Sequence, residues 1–267
     1  MIPNALYWAD CIRRVFIQDI DALAKCLEGR ILPAFASLDK EAEQLEKNEF
    51  ERRTSSANPD MDPAEIAETS RDLAVSHYQI MRDVEQAALN LFAAACFHLL
   101  EQQLLLFHRK ELLSDEEKNH HNLLKISEVI SRLAAHGIDL THFSVWPEIN
   151  DLRLVANVVK HADGKSADQL RSRNPDLFAR PDPTVSTVCG NRTIMKPAVY
   201  QPLMGRDFFV TIEAFRSYAR AVRSFWQELA AALVGQWSSN SPEESPITQS
   251  LATECRPFRH VWTLTEP

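Results

Sequence analysis

A group of polar residues in the stretch 151–178 has the side-chain types needed to bind or transform an anionic ligand. The first half of this stretch is predicted to be a helix stopped by Gly164. That helix would place four polar side chains within one third of its circumference, namely Arg153, Asn157, Lys160 and His161. A guanidinium, an amide and an ammonium suit a phosphate group, and the imidazole can transfer a proton near neutral pH. The alternative is the solvated face of an amphipathic helix, with His161 at a helix C-terminus that favours a cation.

A second polar set lies on an earlier helix, which is otherwise apolar on nearly every side between Val84 and Phe107. Four polar residues share a strip of about 80° on it, namely Asp83, Asn90, His98 and Glu101. A buried carboxylate without a partner costs several kcal/mol, so we expect this strip to face Arg153, Asn157 and His161. The alternative is a purely structural network, because buried ion pairs also form without catalysing anything.

Composition predicts an all-α protein that remains in the cytoplasm. Among 267 residues only six are glycine, and apolar residues recur at helical spacing. The five cysteines are scattered without a paired C-x-x-C spacing, which is typical of reduced thiols rather than of a zinc site or disulfides. No run of 18 apolar residues and no secretory signal are found, so neither a membrane span nor export is expected.

The charge is distributed unevenly along the chain. The net charge is −8, which argues against a protein covered with nucleic acid. Residues 151–224 nevertheless hold twelve Lys and Arg against seven Asp and Glu, a local balance of +5. The predicted polar helix therefore lies in the basic part of the chain, which supports a local phosphate site.

Three regions are predicted along the chain. Residues 1–53 form an N-terminal helical arm, residues 63–234 form a helical bundle, and residues 235–267 form a flexible tail. Asp62 and Pro63 are a strong helix start, and the long periodic segment that follows should break around residues 70–80. Apolar and polar residues alternate on both sides of Gly190 and Asn191, which predicts a small β-hairpin near 184–196.

Motifs of the common enzyme classes are absent from the sequence. There is no glycine-rich phosphate loop, no G-x-S-x-G and no H-E-x-x-H. Glu101 with His98 and His161 fits no established metal-ligand spacing. No metal and no cofactor are therefore expected.

The helix with NLFAAACFHLLEQQL, followed by one with RLVANVVKH, resembles the HEPN superfamily over roughly residues 63–234. Members of that family are helical bundles, and many are metal-independent ribonucleases of toxin–antitoxin, CRISPR and phage-defence systems. The family motif is an arginine, four to six residues and a histidine, with a polar residue often directly after the arginine. His161 matches the histidine and Asn157 the polar position.

The sequence departs from this motif at its arginine. Ala156 stands where the variant with four intervening residues has arginine, and seven residues separate Arg153 from His161. Arg153 therefore lies one helical turn too early. This departure fits either a divergent site or a relative without catalytic activity.

The resemblance implies an HEPN-like bundle that cleaves RNA through attack of a 2′-hydroxyl on the adjacent phosphate. His161 would shuttle protons, Arg153 and Lys160 would stabilise the developing charge, and Asn157 would orient the ligand. Glu101 corresponds to the acidic residue of the family's earlier helix, where it would hold these groups, with His98 beside it and Asn90 in the same ligand site. The family also implies a homodimer with RNA as substrate and a cognate antitoxin or defence-system partner.

Two other functions fit the same residues. One is a non-catalytic helical module that binds a nucleotide or a protein in the same kind of system. The missing arginine and the net negative charge of the chain outside residues 151–224 favour this function. The other is a structural bundle whose polar strip fixes the helix register.

Overall fold

The computed structural model describes residues 2–56, 62–179 and 198–240, and it is mostly helical in those ranges, with no strand among them. The all-α prediction is confirmed. The predicted hairpin near 184–196 lies outside the described residues, as does the tail from residue 241 onward. The eight α-helices of the described ranges are α1 (Ala5–Cys11), α2 (Ile17–Cys26), α3 (Leu38–Ser56), α4 (Pro63–Phe107), α5 (Ile126–Ala135), α6 (Trp146–His161), α7 (Lys165–Arg173) and α8 (Ile212–Asn240).

Helix α4 is the central element and contains 45 residues. It begins as predicted, with Pro63 in the first turn and the Asp62 carboxylate accepting a hydrogen bond from the Ala64 amide at 2.9 Å. The expected break around residues 70–80 is wrong. No glycine or proline occurs between residues 64 and 112, and the buried residues Ile66, Ser70 and Ala74 recur every four positions along the side packed by α3.

The first helices form a nearly continuous rod. A π-helical turn at Ile12–Phe16 joins α1 to α2, and a second one at Leu27–Ile31 leads into a 3₁₀ turn at Leu32–Phe35. The rod ends at Phe35, just after Pro33, which cannot donate a backbone hydrogen bond, and α3 begins at Leu38.

The N-terminal rod runs antiparallel to α4 and α8. Glu111, just beyond α4, accepts hydrogen bonds from the Asn4 amide at 2.9 Å and the Trp8 indole at 3.0 Å. At the other end of the rod, Arg216 of α8 pairs with Glu28 at 2.7 Å. The rod is therefore part of the bundle, and only α3 matches the predicted peripheral arm.

The core lies between the rod, α4, α6 and α8. Aromatic rings fill its centre, with Trp8 and Phe107 at 5.0 Å between centroids and Phe16 and Trp226 at 4.8 Å. All four side chains are buried. Edge-to-face and tilted pairs of this kind add roughly 0.5–1.5 kcal/mol beyond area burial.

The length and composition of one helical segment in the described part of the chain would let it cross a membrane. This segment, Pro63–Leu112, is α4 with the π-helical turn that follows it, and half of its most apolar window is buried inside the bundle. Burial of this kind is what the core helix of a globular protein shows. The helix also extends well beyond that window, and α3 covers its first half.

Candidate functional site

Helix α6 presents the predicted polar face. Its apolar side is buried through Leu152, Val155, Val158 and Val159, in the pattern expected from the sequence. Arg153, Lys160 and His161 are exposed, and Asn157 is half-buried. The structure therefore brings these four side chains onto one face of one helix, and most of that face is open to solvent.

The end of α6 has an unusual backbone conformation. His161 is its last residue, and Ala162 follows with φ 59° and ψ −134°, a region that residues with a side chain seldom occupy. Two backbone hydrogen bonds fix this turn, from the Ala162 amide to the Val158 carbonyl at 2.8 Å and from the Asp163 amide to the Val199 carbonyl at 3.1 Å. The turn therefore fixes the backbone immediately after His161.

The residues of the α4 strip each have partners other than α6. Asp83 pairs with Arg206 at 3.0 Å. Asn90 is fully buried against the segment 199–210, which we call the clasp loop. His98 Nδ1 lies 3.1 Å from a Glu101 oxygen, one turn along the same helix, and both side chains are about one-third to two-fifths exposed.

The predicted contact between the α4 strip and the α6 face is wrong. Within the described ranges, no hydrogen bond or ion pair joins Asn90, His98 or Glu101 to Arg153, Asn157 or His161. The two helices pack through apolar side chains instead. Around Arg153 these enclose a cavity of about 20 Å³, enough for one water, lined by Phe97, Leu100, Leu104, Ile149 and Phe225 among others.

Asn90 anchors the clasp loop and has no capacity left for a ligand. Its side-chain amide donates to the carbonyls of Pro202 and Phe208, both at 2.8 Å. Its oxygen accepts from the Val210 amide at 3.1 Å and from the Gln86 side chain at 3.0 Å. The amide group of Asn90 is buried with four partners, so in this arrangement it has no donor or acceptor left for the ligand predicted from the sequence.

The clasp loop approaches α4 very closely at Gly205. This residue has φ +67°, and a Cβ there would lie 2.1 Å from the Asp83 carbonyl oxygen and 2.8 Å from the Ala87 amide nitrogen. Only glycine permits both the backbone conformation and the approach. The close approach of Gly205 to Asp83 and Ala87 was not foreseen from the sequence, since at least 118 positions separate them.

The titratable groups of the interior do not form a second site. Burial raises the pKa of the Cys96 thiol to about 12, so it remains protonated and unreactive at neutral pH. Burial, with the nearby Asp151 charge, raises the pKa of Tyr218 to about 12 as well. Among the described residues no three His, Cys, Asp or Glu side chains are grouped as metal ligands. The candidate site is therefore the α6 face alone.

Comparison with protein-family models, curated proteins and solved structures finds no match to this chain. The resemblance to the HEPN superfamily thus rests on the sequence motifs of α4 and α6.

An apolar surface on α4 was missed by the sequence reasoning. Leu73, Ile80, Val84 and Leu91 are 42%, 54%, 43% and 49% exposed, although they are large and apolar. Their spacing was visible in the sequence. Periodicity alone does not reveal the exposure of this face, because an apolar face of a long helix has the same spacing whether it is buried or exposed.

Proposed function

We propose that this HEPN-like chain is a non-catalytic helical module that binds a phosphate-bearing ligand, a nucleotide or RNA, on the exposed face of α6. The observation that supports the proposal is the grouping of Arg153, Lys160 and His161 on the solvent side of one helix, with Asn157 between them. Cations on one surface attract phosphate through long-range charge and short hydrogen bonds. The +5 balance of residues 151–224 adds to this attraction.

The surroundings of His161 favour binding over catalysis. General acid–base catalysis requires an imidazole held in one orientation by a second group. Glu101, the acidic residue that the resemblance assigns to this task, pairs with His98 on its own helix. In the described part of the chain, no side chain is hydrogen-bonded to the His161 ring.

A second candidate is a metal-independent endoribonuclease assembled from two copies. The observation that favours it is the exposure of Lys160 and His161 together at the C-terminus of α6, where a second α6 face could meet them. His161 would then move the proton, and Arg153 of the other copy would stabilise the phosphorane charge. Such an enzyme would act in a toxin–antitoxin or phage-defence system and would have a cognate antitoxin or defence partner.

One experiment separates these functions. A 5′-labelled single-stranded RNA and a labelled mononucleotide are titrated with protein in EDTA, and anisotropy and a denaturing gel are read from the same samples. The double variant Arg153→Ala with Lys160→Ala should weaken binding at least tenfold, because two phosphate contacts are lost. The control is Arg13→Ala with Arg14→Ala, an exposed basic pair on the N-terminal rod, which should bind like the wild type.

The outcomes are distinct. Binding without cleavage, lost only in the α6 variant, supports the module. Cleavage that disappears in His161→Ala supports the endoribonuclease and overturns the module. Absence of binding to both probes, or equal loss in the control, contradicts both candidates.

A further inference from the structure

The first half of α4 projects beyond the bundle. The core residues that α4 contributes begin at Leu89, and before residue 82 its buried residues are Ile66, Ser70 and Ala74, which recur along the side packed by α3. Helix α3 and residues 63–82 of α4 therefore form a two-helix arm. Helix pairs of this size bury little apolar surface by themselves, so they gain stability from a further partner.

A stripe of exposed apolar residues, interrupted by His77, runs along α4 from the arm onto the bundle. It consists of Leu73, Ile80, Val84 and Leu91, which are each between 42% and 54% exposed. At about 100° per residue they fall within roughly 40° of one another on the helix. From residue 73 to residue 91 the stripe is about 27 Å long. The four positions carry no charge.

The spacing within the stripe reads the same in both directions. The intervals are seven, four and seven residues, and the midpoint is residue 82. Two identical helices packed antiparallel about this midpoint would place Leu73 against Leu91 of the second copy and Ile80 against Val84. These residues occupy four of the six a and d positions of a short antiparallel coiled coil, and the other two positions hold His77 and Ala87.

The apolar surface also extends sideways onto the clasp loop. Gly205 seats this loop directly against Ala87, and next to it Leu203 and Met204 are each 48% exposed and Tyr200 is 77% exposed. Because each of these seven residues is large and about half-exposed or more, their exposed surface adds up to on the order of 700 Å². This area is larger than the largest apolar patch of a typical monomer. A standard interface buries about 800 Å² on each partner.

We propose that this stripe is the interface of a homodimer in which two copies pack antiparallel along α4, so that each arm lies against the bundle of its partner. The contact is self-complementary, as a two-fold interface requires. The antiparallel arrangement also places Leu203 and Met204 beside the partner's arm near position 77, where α4 is covered on one side only. The proposal is independent of the ligand-binding function of α6, because none of its residues belongs to that face.

The first test is the oligomeric state of the full chain, measured by sedimentation velocity between 1 and 100 µM. These concentrations bracket about 10 µM, the range of a modest interface. Ile80→Glu should shift the dissociation constant at least 100-fold toward the monomer. The matched control is Val75→Glu, which is 46% exposed on the same helix but lies about 160° away from the stripe. It should sediment like the wild type, and circular dichroism should show unchanged helix content in both variants.

The second test establishes the direction of packing by cysteine cross-linking. In a background with the other accessible cysteines replaced by serine, chains with Ile80→Cys and chains with Val84→Cys are oxidised separately and as a mixture. Antiparallel packing predicts a disulfide-linked dimer only in the mixture, because position 80 faces position 84 of the other copy.

Three results would overturn the proposal. Cross-linked dimers of Ile80→Cys alone would indicate parallel packing. A wild-type chain that is monomeric at 100 µM would mean that another segment or protein covers the stripe. Equal dissociation of the Ile80→Glu and Val75→Glu variants would show that the stripe is not the interface. Loss of RNA binding in the α6 variants leaves all of these measurements unchanged, so the two proposals fail separately.

Discussion

Replacing Asn90 with aspartate is the sharpest test of how the clasp loop is held on α4. The two side chains have nearly the same shape, so packing is preserved while the side-chain NH₂ group is replaced by an oxygen. The Pro202 and Phe208 carbonyls, each 2.8 Å from the Asn90 nitrogen, would lose their donor and face an oxygen instead. The hydrogen bonds that the Asn90 oxygen accepts would remain.

The magnitude follows from counting the groups left without partners. Each buried carbonyl that loses its donor costs about 1–3 kcal/mol, which gives about 4 kcal/mol for the pair. For a chain of this size, 1 kcal/mol changes Tm by roughly 2–4 °C, so we expect Tm to fall by about 10 °C. Burial disfavours the charged form, so the pKa of the new carboxyl would be raised in the folded state.

This raised pKa gives the effect a definite pH dependence. A group whose pKa is higher in the folded state contributes stability at low pH that is lost as pH rises through the folded pKa. The penalty of Asn90→Asp should therefore be smallest near pH 4 and largest above pH 7. At low pH the protonated carboxyl donates to one of the two carbonyls, which restores part of the lost stability.

Differential scanning fluorimetry from pH 4 to pH 8 measures both effects. Asn48→Asp is the control, because Asn48 is an exposed residue of α3. It should change Tm by less than 1–2 °C at every pH. If Asn90→Asp behaves like Asn48→Asp, or if its penalty does not grow with pH, the hydrogen bonds of Asn90 do not hold the clasp loop.

Three further changes have calculable consequences. Ala162→Gly should raise Tm by about 2–3 °C, because glycine relieves a backbone strain of roughly 1–3 kcal/mol at this φ. The greater conformational entropy of glycine in the unfolded chain offsets part of that gain. A lower Tm would contradict the strain. Burial, aided by the Arg132 charge, lowers the pKa of His108, so the free energy of unfolding should fall as the pH drops below about 6.5. The variant His108→Phe should show a smaller fall, measured by urea titrations at pH 7.5 and 5.5. An identical fall in both proteins would show that His108 does not cause it. Glu111→Ala should cost about 2 kcal/mol in the same titration at pH 7.5, because the Trp8 indole N–H loses its acceptor; no change would mean that the N-terminal rod is held by packing alone.

The sequence predicted where helices form and which side of each is polar better than it predicted which elements pack against them. Periodicity alone placed Arg153, Asn157, Lys160 and His161 on one side of α6 and the apolar residues on the other, because a helix has a fixed pitch. The same argument placed His98 and Glu101 on one strip of α4. It could not state what faces that strip, since periodicity contains no information about other elements.

The errors arose where distant parts of the chain meet. Asn90 is held by a loop that begins more than 100 residues later, and no local pattern in residues 199–210 indicates that contact. The uninterrupted course of α4 through residues 70–80 depends on α3, which packs along it and was assigned to a separate arm. In both cases a tertiary contact overrode an expectation built on local length and polarity.

The unbroken course of α4 also has a mechanical consequence. Its 45 residues make a helix about 67 Å long, and the portion before residue 82 extends about 28 Å past the bundle. Residues 64–112 contain no glycine or proline at which the helix could bend. A tilt of 10° where α4 meets the bundle would therefore displace the end at Pro63 by about 5 Å. A small change in angle where the clasp loop contacts α4 would thus produce a large displacement at the tip, which fluorophores on the tip and on α8 would detect.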